Sequence, residues 1–466
     1  METGKSFFFV GIGGSGMMPL AMILAGRGAR VAGSDRSLDS GRLPAKFDDL
    51  AARGIALHPQ DGSGIVSADQ IVVASAAVEA TVPDMVAAEA VGARRMTRAE
   101  LLASLFNASA SRIGVAGTSG KSTVTGMIGW ILHTLGRDPT VMNGAVMKNF
   151  ASADAPFASA LVGEGTAFVS EVDESDGSIA LYSPEIAVLN NVSLDHKSLE
   201  ELRALFGDFA AKARVTVVNV GDREAEALAD TMDRAKLMTV AIDASADLRA
   251  ENLAAERHAI AFDLVSRGER LRVRLGVPGR HNVENALAAI GAAIAAGVPR
   301  EDAAKAIEGF AGLKRRFELV GEANGVAVID DFGHNPEKIA ATLDTLHAFP
   351  GRLLLMFQPH GYGPLRVMRR ELVDMFAEKL GEDDVLVLPD PVYQGGTTSR
   401  EVTSADIVAD IRAMGRDARH IPARDEAAEA LVAAARPGDR IVLMGARDDT
   451  LSLLAQEMVG KLGNVA

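Results

Sequence analysis

Short apolar runs alternate with helix-patterned segments along almost the whole chain, and this alternation limits the fold more than any other feature. A strand buried on both faces reads as a continuous apolar run, and a helix between two such runs covers the sheet they form. The pattern therefore favours parallel α/β sheets. Phe7–Val10, Arg30–Ala32 and Ile71–Ala74 are the strand-like runs of a first unit. A second begins at Ile113, with strands expected at Ile113–Val115, Ala167–Val169, Ile186–Leu189, Val215–Val218 and Leu271–Val277, and an alanine-rich helix over Asn282–Ala296. A third follows Gly312, with Val326–Ile329, Leu353–Phe357, Val385–Leu388 and Ile441–Met444. At 466 residues the chain is too long for one core. The polar Asn107–Ser111 and the basic Lys314-Arg315-Arg316 mark the joints, which sets domains at 1–108, 109–312 and 313–466.

The charge balance of 48 Lys plus Arg against 62 Asp plus Glu, net −14, argues against nucleic acid or an anionic membrane as a partner. With no cysteine, disulfides and thiolate metal sites are excluded, and any metal must be held by oxygen or imidazole. The N-terminal apolar run Phe7–Val10 is short and ends in glycines, so it reads as a first strand rather than a signal peptide. No run approaches the ~20 apolar residues of a membrane span. These features suit a cytoplasmic protein.

The stretch from Val115 to Thr123, Val-Ala-Gly-Thr-Ser-Gly-Lys-Ser-Thr, joins a buried strand to a segment with helical periodicity. That layout is a phosphate cradle. Backbone N–H groups of the turn and the helix N-terminus face the anion, Lys121 reaches the outer phosphates, and the Ser122 hydroxyl can ligate Mg²⁺. A turn that merely caps a helix is the plainer alternative. Gly-Lys-Ser directly after a strand favours a nucleoside triphosphate instead.

Three further constellations stand after expected strands. Gly11-Ile12-Gly13-Gly14-Ser15-Gly16 is a G-x-G-x-x-G, and Asp35 follows the next strand, 19 residues after Gly16. Such glycines let a diphosphate approach a helix N-terminus, and Asp35 could accept from a ribose hydroxyl; a glycine-rich packing turn is the alternative. Glu171, Asp173, Glu174 and Asp176 crowd the loop after Ala167–Val169, where hard oxygen ligands suit Mg²⁺ beside phosphates. The competing reading there is a solvated acidic loop. Asp195-His196 follows Ile186–Leu189 at the same expected sheet edge.

Taken together, Gly117–Ser122, Glu171–Ser178 and Asp195-His196 resemble the central motifs of the Mur ligases, most nearly those of the alanine-adding members. The likeness continues through Gly279–Ala286, Lys314–Phe317, Asp330–Pro336, Phe357–His360 and Met444–Ala446. In the first unit it includes Gly11–Met17 and Gly33-Ser34-Asp35. The resemblance implies three α/β domains. These are a Rossmann-like UDP-binding domain, a central P-loop ATPase domain with a parallel sheet, and a Rossmann-like C-terminal domain. It implies an ADP-forming ligase of peptidoglycan biosynthesis that adds an amino acid to a UDP-N-acetylmuramate-type acid through an acyl phosphate. ATP and Mg²⁺ would be its cofactors, and the protein a monomer or homodimer.

By the same resemblance, Lys121, Glu171, His196, Arg316 and Asp331 are catalytic. Gly117, Thr118, Ser119, Gly120, Lys121, Ser122, Thr123, Asn282, Asn285 and His334 hold ATP. Gly13, Gly14, Ser15, Gly16, Asp35, Ser75 and His360 hold the UDP substrate. Ser122, Glu171 and His196 carry the metal, and Arg316 and Asp331 reach the nucleotide on closure, which would keep water from the acyl phosphate.

The chain departs from the family on the acceptor side. Where alanine-adding members continue Phe-Gln-Pro-His with Arg-Tyr-x-Arg, this chain has Gly361-Tyr362-Gly363-Pro364. Two guanidinium forks are thereby lost, unless Arg366, Arg369 or Arg447 takes their place. His334-Asn335 replaces paired histidines, Phe332 a tyrosine, and Pro59-Gln60 a Gly-His; Arg447-Asp448-Asp449 follows Ala446 in place of Gly-Asp. The alternatives are a paralogue acting on a different amino acid or on a peptide, as recycling ligases do, a Rossmann NAD-dependent oxidoreductase, and a nucleotide-binding regulator without catalysis.

Overall fold

The computed structural model of the chain describes residues 3–193, 197–392, 401–446 and 448–464. It contains three sheets, divided between two compact units, Met1–Gly312 and Leu313–Ala466.

The first sheet has five parallel strands in the spatial order Ala56–His58, Arg30–Ser34, Ser6–Val10, Gln70–Ala74, Arg94–Thr97. Chain direction across the sheet reverses at Ser6–Val10, so the crevice beyond its carboxyl end is a topological switch point. Phe7, Phe8 and Phe9 are all buried there because both sheet faces are covered.

The second sheet has ten strands. Its parallel centre runs Leu237–Ile242, Val215–Asn219, Ile186–Leu189, Ser111–Ala116, Ala167–Glu171 and Thr140–Met142. At one edge Leu248–Glu256, Ala259–Ser266 and Glu269–Leu275 continue it, the last two joining antiparallel. The strand expected over Leu271–Val277 is therefore an antiparallel edge strand that ends at Leu275. The chain leaves the ladder at Gly276, where a Cβ would lie 3.2 Å from the Phe310 carbonyl. Helix Arg98–Asn107 closes the first sheet and turns Phe106 onto Phe168 of the second sheet and onto Tyr182, with ring centroids 5.9 and 5.3 Å away. These two domains thus share one apolar core.

The third sheet, in the second unit, orders Glu318–Ala323, Val326–Asp331, Arg440–Met444, Leu353–Phe357, Val385–Leu388 and Ala418–His420. All its pairings are parallel except that of Glu318–Ala323 with Val326–Asp331. Among the described residues no helix is long and apolar enough to cross a membrane.

Candidate functional site

Strand Ser111–Ala116 ends in the turn Gly117-Thr118-Ser119-Gly120, and helix Lys121–Thr134 begins directly after it. Gly120 has φ +80°, and a Cβ there would lie 2.4 Å from Asn285 Oδ1 and 2.6 Å from Asn190 Nδ2, so only glycine fits. The turn is braced by the next strand's exit. Ser119 N–H donates to Asn191 Oδ1 (2.8 Å), Thr118 N–H to the Asn191 carbonyl (3.2 Å), and Thr118 Oγ1 to the Ser193 carbonyl (3.1 Å). Among the described residues no side chain caps the helix, so the N–H groups of its first turn, those of Lys121, Ser122 and Thr123, have no side-chain acceptor there.

Glu171, the last residue of strand Ala167–Glu171, and Glu174 in the loop after it meet this helix start. Ser122 Oγ donates to Glu171 Oε2 at 2.8 Å. Lys121 Nζ donates to Glu174 Oε2 (2.9 Å), Glu174 Oε1 (3.2 Å) and the Gly117 carbonyl (2.6 Å). Burial opposes ionisation of Asp173, but hydrogen bonds from Ser175 and the charges of Lys121 and Arg98 outweigh it and hold that carboxyl below its usual range. The hydroxyl and carboxylate of Ser122 and Glu171 are hard oxygen donors at a helix N-terminus, a set that fits Mg²⁺ beside phosphate. His196, expected to help hold metal, lies outside the described residues.

Asn282 and Asn285 stand on helix Arg280–Ala295 and meet the cradle from behind. Asn285 Oδ1 accepts from Asn190 Nδ2 (3.0 Å), Asn285 Nδ2 donates to Asn282 Oδ1 (3.2 Å), and Asn282 Nδ2 donates to the Pro278 carbonyl (2.6 Å). Asn190 Oδ1 is buried without a hydrogen-bond partner among the described residues. Asn143, which donates to the Ser122 carbonyl at 2.9 Å, also supports the helix start. Asn143 and Asn190 carry no motif signal; only the sheet order brings them to the cradle.

At the switch point of the first sheet, Gly13, Gly14, Ser15 and Gly16 form the turn between Ser6–Val10 and helix Met18–Gly26. Asp35 accepts from Gly13 N–H through Oδ2 (2.9 Å) and from Ser37 N–H through Oδ1 (2.8 Å), so it shapes this turn as well as lining it. Ser75 follows the carboxyl end of Gln70–Ala74. A residue the sequence reading missed is Arg98, whose side chain lies against Gly16, where a Cβ would be 3.0 Å from its Cδ and 3.2 Å from Nη1. Arg98 also pairs with Asp176 of the acidic loop at 3.7 Å.

The second unit holds its own cluster. Arg315 and Phe317 have φ +59° and +49° on either side of Arg316, and the Arg316 guanidinium lies 4.1 Å from the Phe332 ring centroid. Asp331 accepts from Phe317 N–H (2.9 Å), Gly333 N–H (3.2 Å) and Thr342 Oγ1 (2.7 Å). The His334 and His360 rings meet edge to face at 5.4 Å, and burial, with Lys338 nearby, pushes the His334 imidazole down to about 3. Gly361 precedes helix Tyr362–Val367 with φ +146°, a backbone that would strain an arginine, and Pro364 lies within the helix. Of the arginines that could compensate, Arg369 is paired with Asp410 at 2.8 Å, Arg366 is exposed, and Arg447 lies outside the described residues.

Three family models match the chain in order. They are "Mur ligase family, catalytic domain" over residues 6–110, "Mur ligase middle domain" over 115–293, and "Mur ligase, glutamate ligase domain" over 315–447. Among similar curated proteins, the UDP-N-acetylmuramate–L-alanine ligase of Agrobacterium fabrum is 36% identical over 462 residues, covering 95% of this chain and 94% of that protein. The enzyme of that name from Streptomyces coelicolor is 36% identical over 453 residues, covering 95% of each. Among solved structures, UDP-N-acetylmuramate–alanine ligase of Thermotoga maritima superposes with TM-score 0.80 at 24% identity, covering 98% of both chains. A murein peptide ligase from Psychrobacter arcticus does so with TM-score 0.71 at 24% identity, covering 99% of this chain and all of that one.

Proposed function

This chain belongs to the Mur ligase family, and on that premise we propose that it is an ADP-forming ligase joining an amino acid to the carboxylate of UDP-N-acetylmuramate or a close relative. The observation that carries the reading is the cradle with Lys121, Ser122 and Glu171 at one helix start, in a chain similar over nearly its whole length to UDP-N-acetylmuramate–L-alanine ligases. In this chemistry ATP phosphorylates the acid, the amine attacks the acyl phosphate, and the tetrahedral intermediate collapses to amide and phosphate. Phosphoryl transfer of this kind needs alignment and charge neutralisation more than covalent help. Lys121 supplies positive charge at the outer phosphates, and the open N–H groups of the first helical turn supply oriented dipoles. Asn282 and Asn285 shape the wall for the adenine, and the Gly13–Gly16 turn with Asp35 receives the UDP moiety. Bound Mg²⁺, held by Ser122 and Glu171, would neutralise phosphate charge.

The test is ADP release with UDP-N-acetylmuramate and a panel of amino acids. ADP formation that depends on both the UDP-sugar acid and an amine supports the reading. Turnover of NAD without ADP would establish the oxidoreductase instead.

Glu171→Gln should raise the Mg²⁺ concentration needed for half-maximal activity severalfold, because a neutral amide is a poorer ligand for a hard cation. A Mg²⁺ titration with an unchanged midpoint would remove Glu171 from the ligand set.

The acceptor side supports a narrower reading, that the preferred substrate pair differs from UDP-N-acetylmuramate plus L-alanine. Gly361 and Pro364 cannot supply arginine forks, and Arg369 pairs with Asp410 at the surface. An arginine–anion contact contributes roughly 1.5–3 kcal/mol, so KM for the standard pair should lie about tenfold or more above that for the preferred pair. Micromolar KM for UDP-N-acetylmuramate, with L-alanine the best amine, would show the substitutions to be neutral.

A further inference from the structure

We propose that Glu174 is a positioning residue for Lys121 that sets how tightly the cradle holds a nucleotide; this rests on the ligase reading above. An ammonium has three N–H donors. Lys121 Nζ has three acceptors within 3.2 Å, the Gly117 carbonyl and both oxygens of Glu174, so its donor capacity is filled. A phosphate oxygen can reach that ammonium only by taking a donor from one of them.

The Glu174 carboxylate is well placed to compete. Glu174 is 5% exposed, and Lys121 is the sole partner of its side chain among the described residues. Its main chain is pinned by Gly177 N–H on the Glu174 carbonyl at 3.1 Å, while Ser175 N–H and Oγ bond Asp173 Oδ1 at 3.0 and 2.7 Å. The neighbouring Glu171 is engaged with Ser122 instead, so the two glutamates divide between two successive residues of the helix. One side faces the metal-binding hydroxyl and the other the ammonium. Charge-assisted contacts away from water are strong, and exchanging one for another makes nucleotide affinity depend on Glu174 directly.

The experiment is calorimetric titration of the full chain with ADP and with a non-hydrolysable ATP analogue. Glu174→Gln should lower the dissociation constant about tenfold without raising turnover, because a neutral amide competes less well for the ammonium. Glu174→Asp keeps the charge but shortens the reach, and its affinity should fall between those of the wild type and the glutamine variant; it also serves as the readout if Glu174→Gln does not fold. In a Lys121→Ala background the effect of Glu174→Gln on affinity should vanish. Unchanged or weaker binding by Glu174→Gln, or equal tightening without Lys121, overturns the proposal. A wild-type chain that binds no adenine nucleotide would instead overturn the ligase reading on which it rests.

Discussion

Lys121→Ala should lower turnover by about 10² or more, since removing a preorganised charge from a site of developing negative charge costs on this scale. The structure adds a second expectation that the motif alone does not carry. Glu174 is buried, and the alanine variant leaves its carboxylate without a partner, so the variant should also melt earlier. The two effects separate in the double variant Lys121→Ala/Glu174→Gln. There the stranded charge is gone, so thermal stability should return towards wild type while turnover stays low. Calorimetric melting alongside ADP release measures both. Near-normal ADP formation by a folded Lys121→Ala chain would remove the residue from the machinery, and a double variant no more stable than the single one would show that the Glu174 charge is not what destabilises it.

That pairing marks where the sequence stops being readable. The cradle is contiguous, with strand, glycine turn and helix start all set by local chemistry, so Gly120, Lys121 and Ser122 stand where their pattern puts them. Strands Ile186–Leu189, Leu353–Phe357 and Val385–Leu388 have the bounds expected of them because each is an apolar run buried along its whole length. The edge Leu248–Leu275 was harder to read. There Arg249, Glu251, Asp263, Arg270, Arg272 and Arg274 interrupt the apolar pattern, because its polar positions carry cross-strand ion pairs such as Arg270–Asp263 at 2.7 Å and Arg274–Glu256 at 2.6 Å. In the site, residue type alone reads the acidic run as one set of cation ligands. The fold assigns Glu171 and Glu174 to different partners, which follows from how the loop is pinned and not from residue type. Arg98 carried no signal, since its place against Gly16 depends on where helix Arg98–Asn107 starts relative to a turn some eighty residues earlier in the chain.

Asp331 shows the same limit from the other side, and its replacement should have the largest effect on stability. The resemblance casts it as a residue that reaches the nucleotide, yet its oxygens accept from Phe317 N–H, Gly333 N–H and Thr342 Oγ1 while only 7% of the residue is exposed. It therefore ties the segment carrying Arg316 to the end of strand Val326–Asp331 and to helix Pro336–His347. Asp331→Ala leaves the Phe317 and Gly333 N–H groups without an acceptor, while Thr342 Oγ1 keeps the Lys338 carbonyl at 3.2 Å. Each stranded donor costs about 1–3 kcal/mol, and with partial relaxation the loss should be about 3 kcal/mol or more. For a unit of this size that corresponds to a fall of roughly 10 °C in the melting of the Leu313–Ala466 unit. Asp331→Asn keeps one acceptor and should cost less. Differential scanning calorimetry of the full chain resolves the point. If Asp331→Ala melts like wild type while activity is lost, Asp331 acts on ligand alone. If both variants lose stability in the expected order, its first role is to hold the loop that presents Arg316, and any loss of turnover must be corrected for that before a direct contact is assigned.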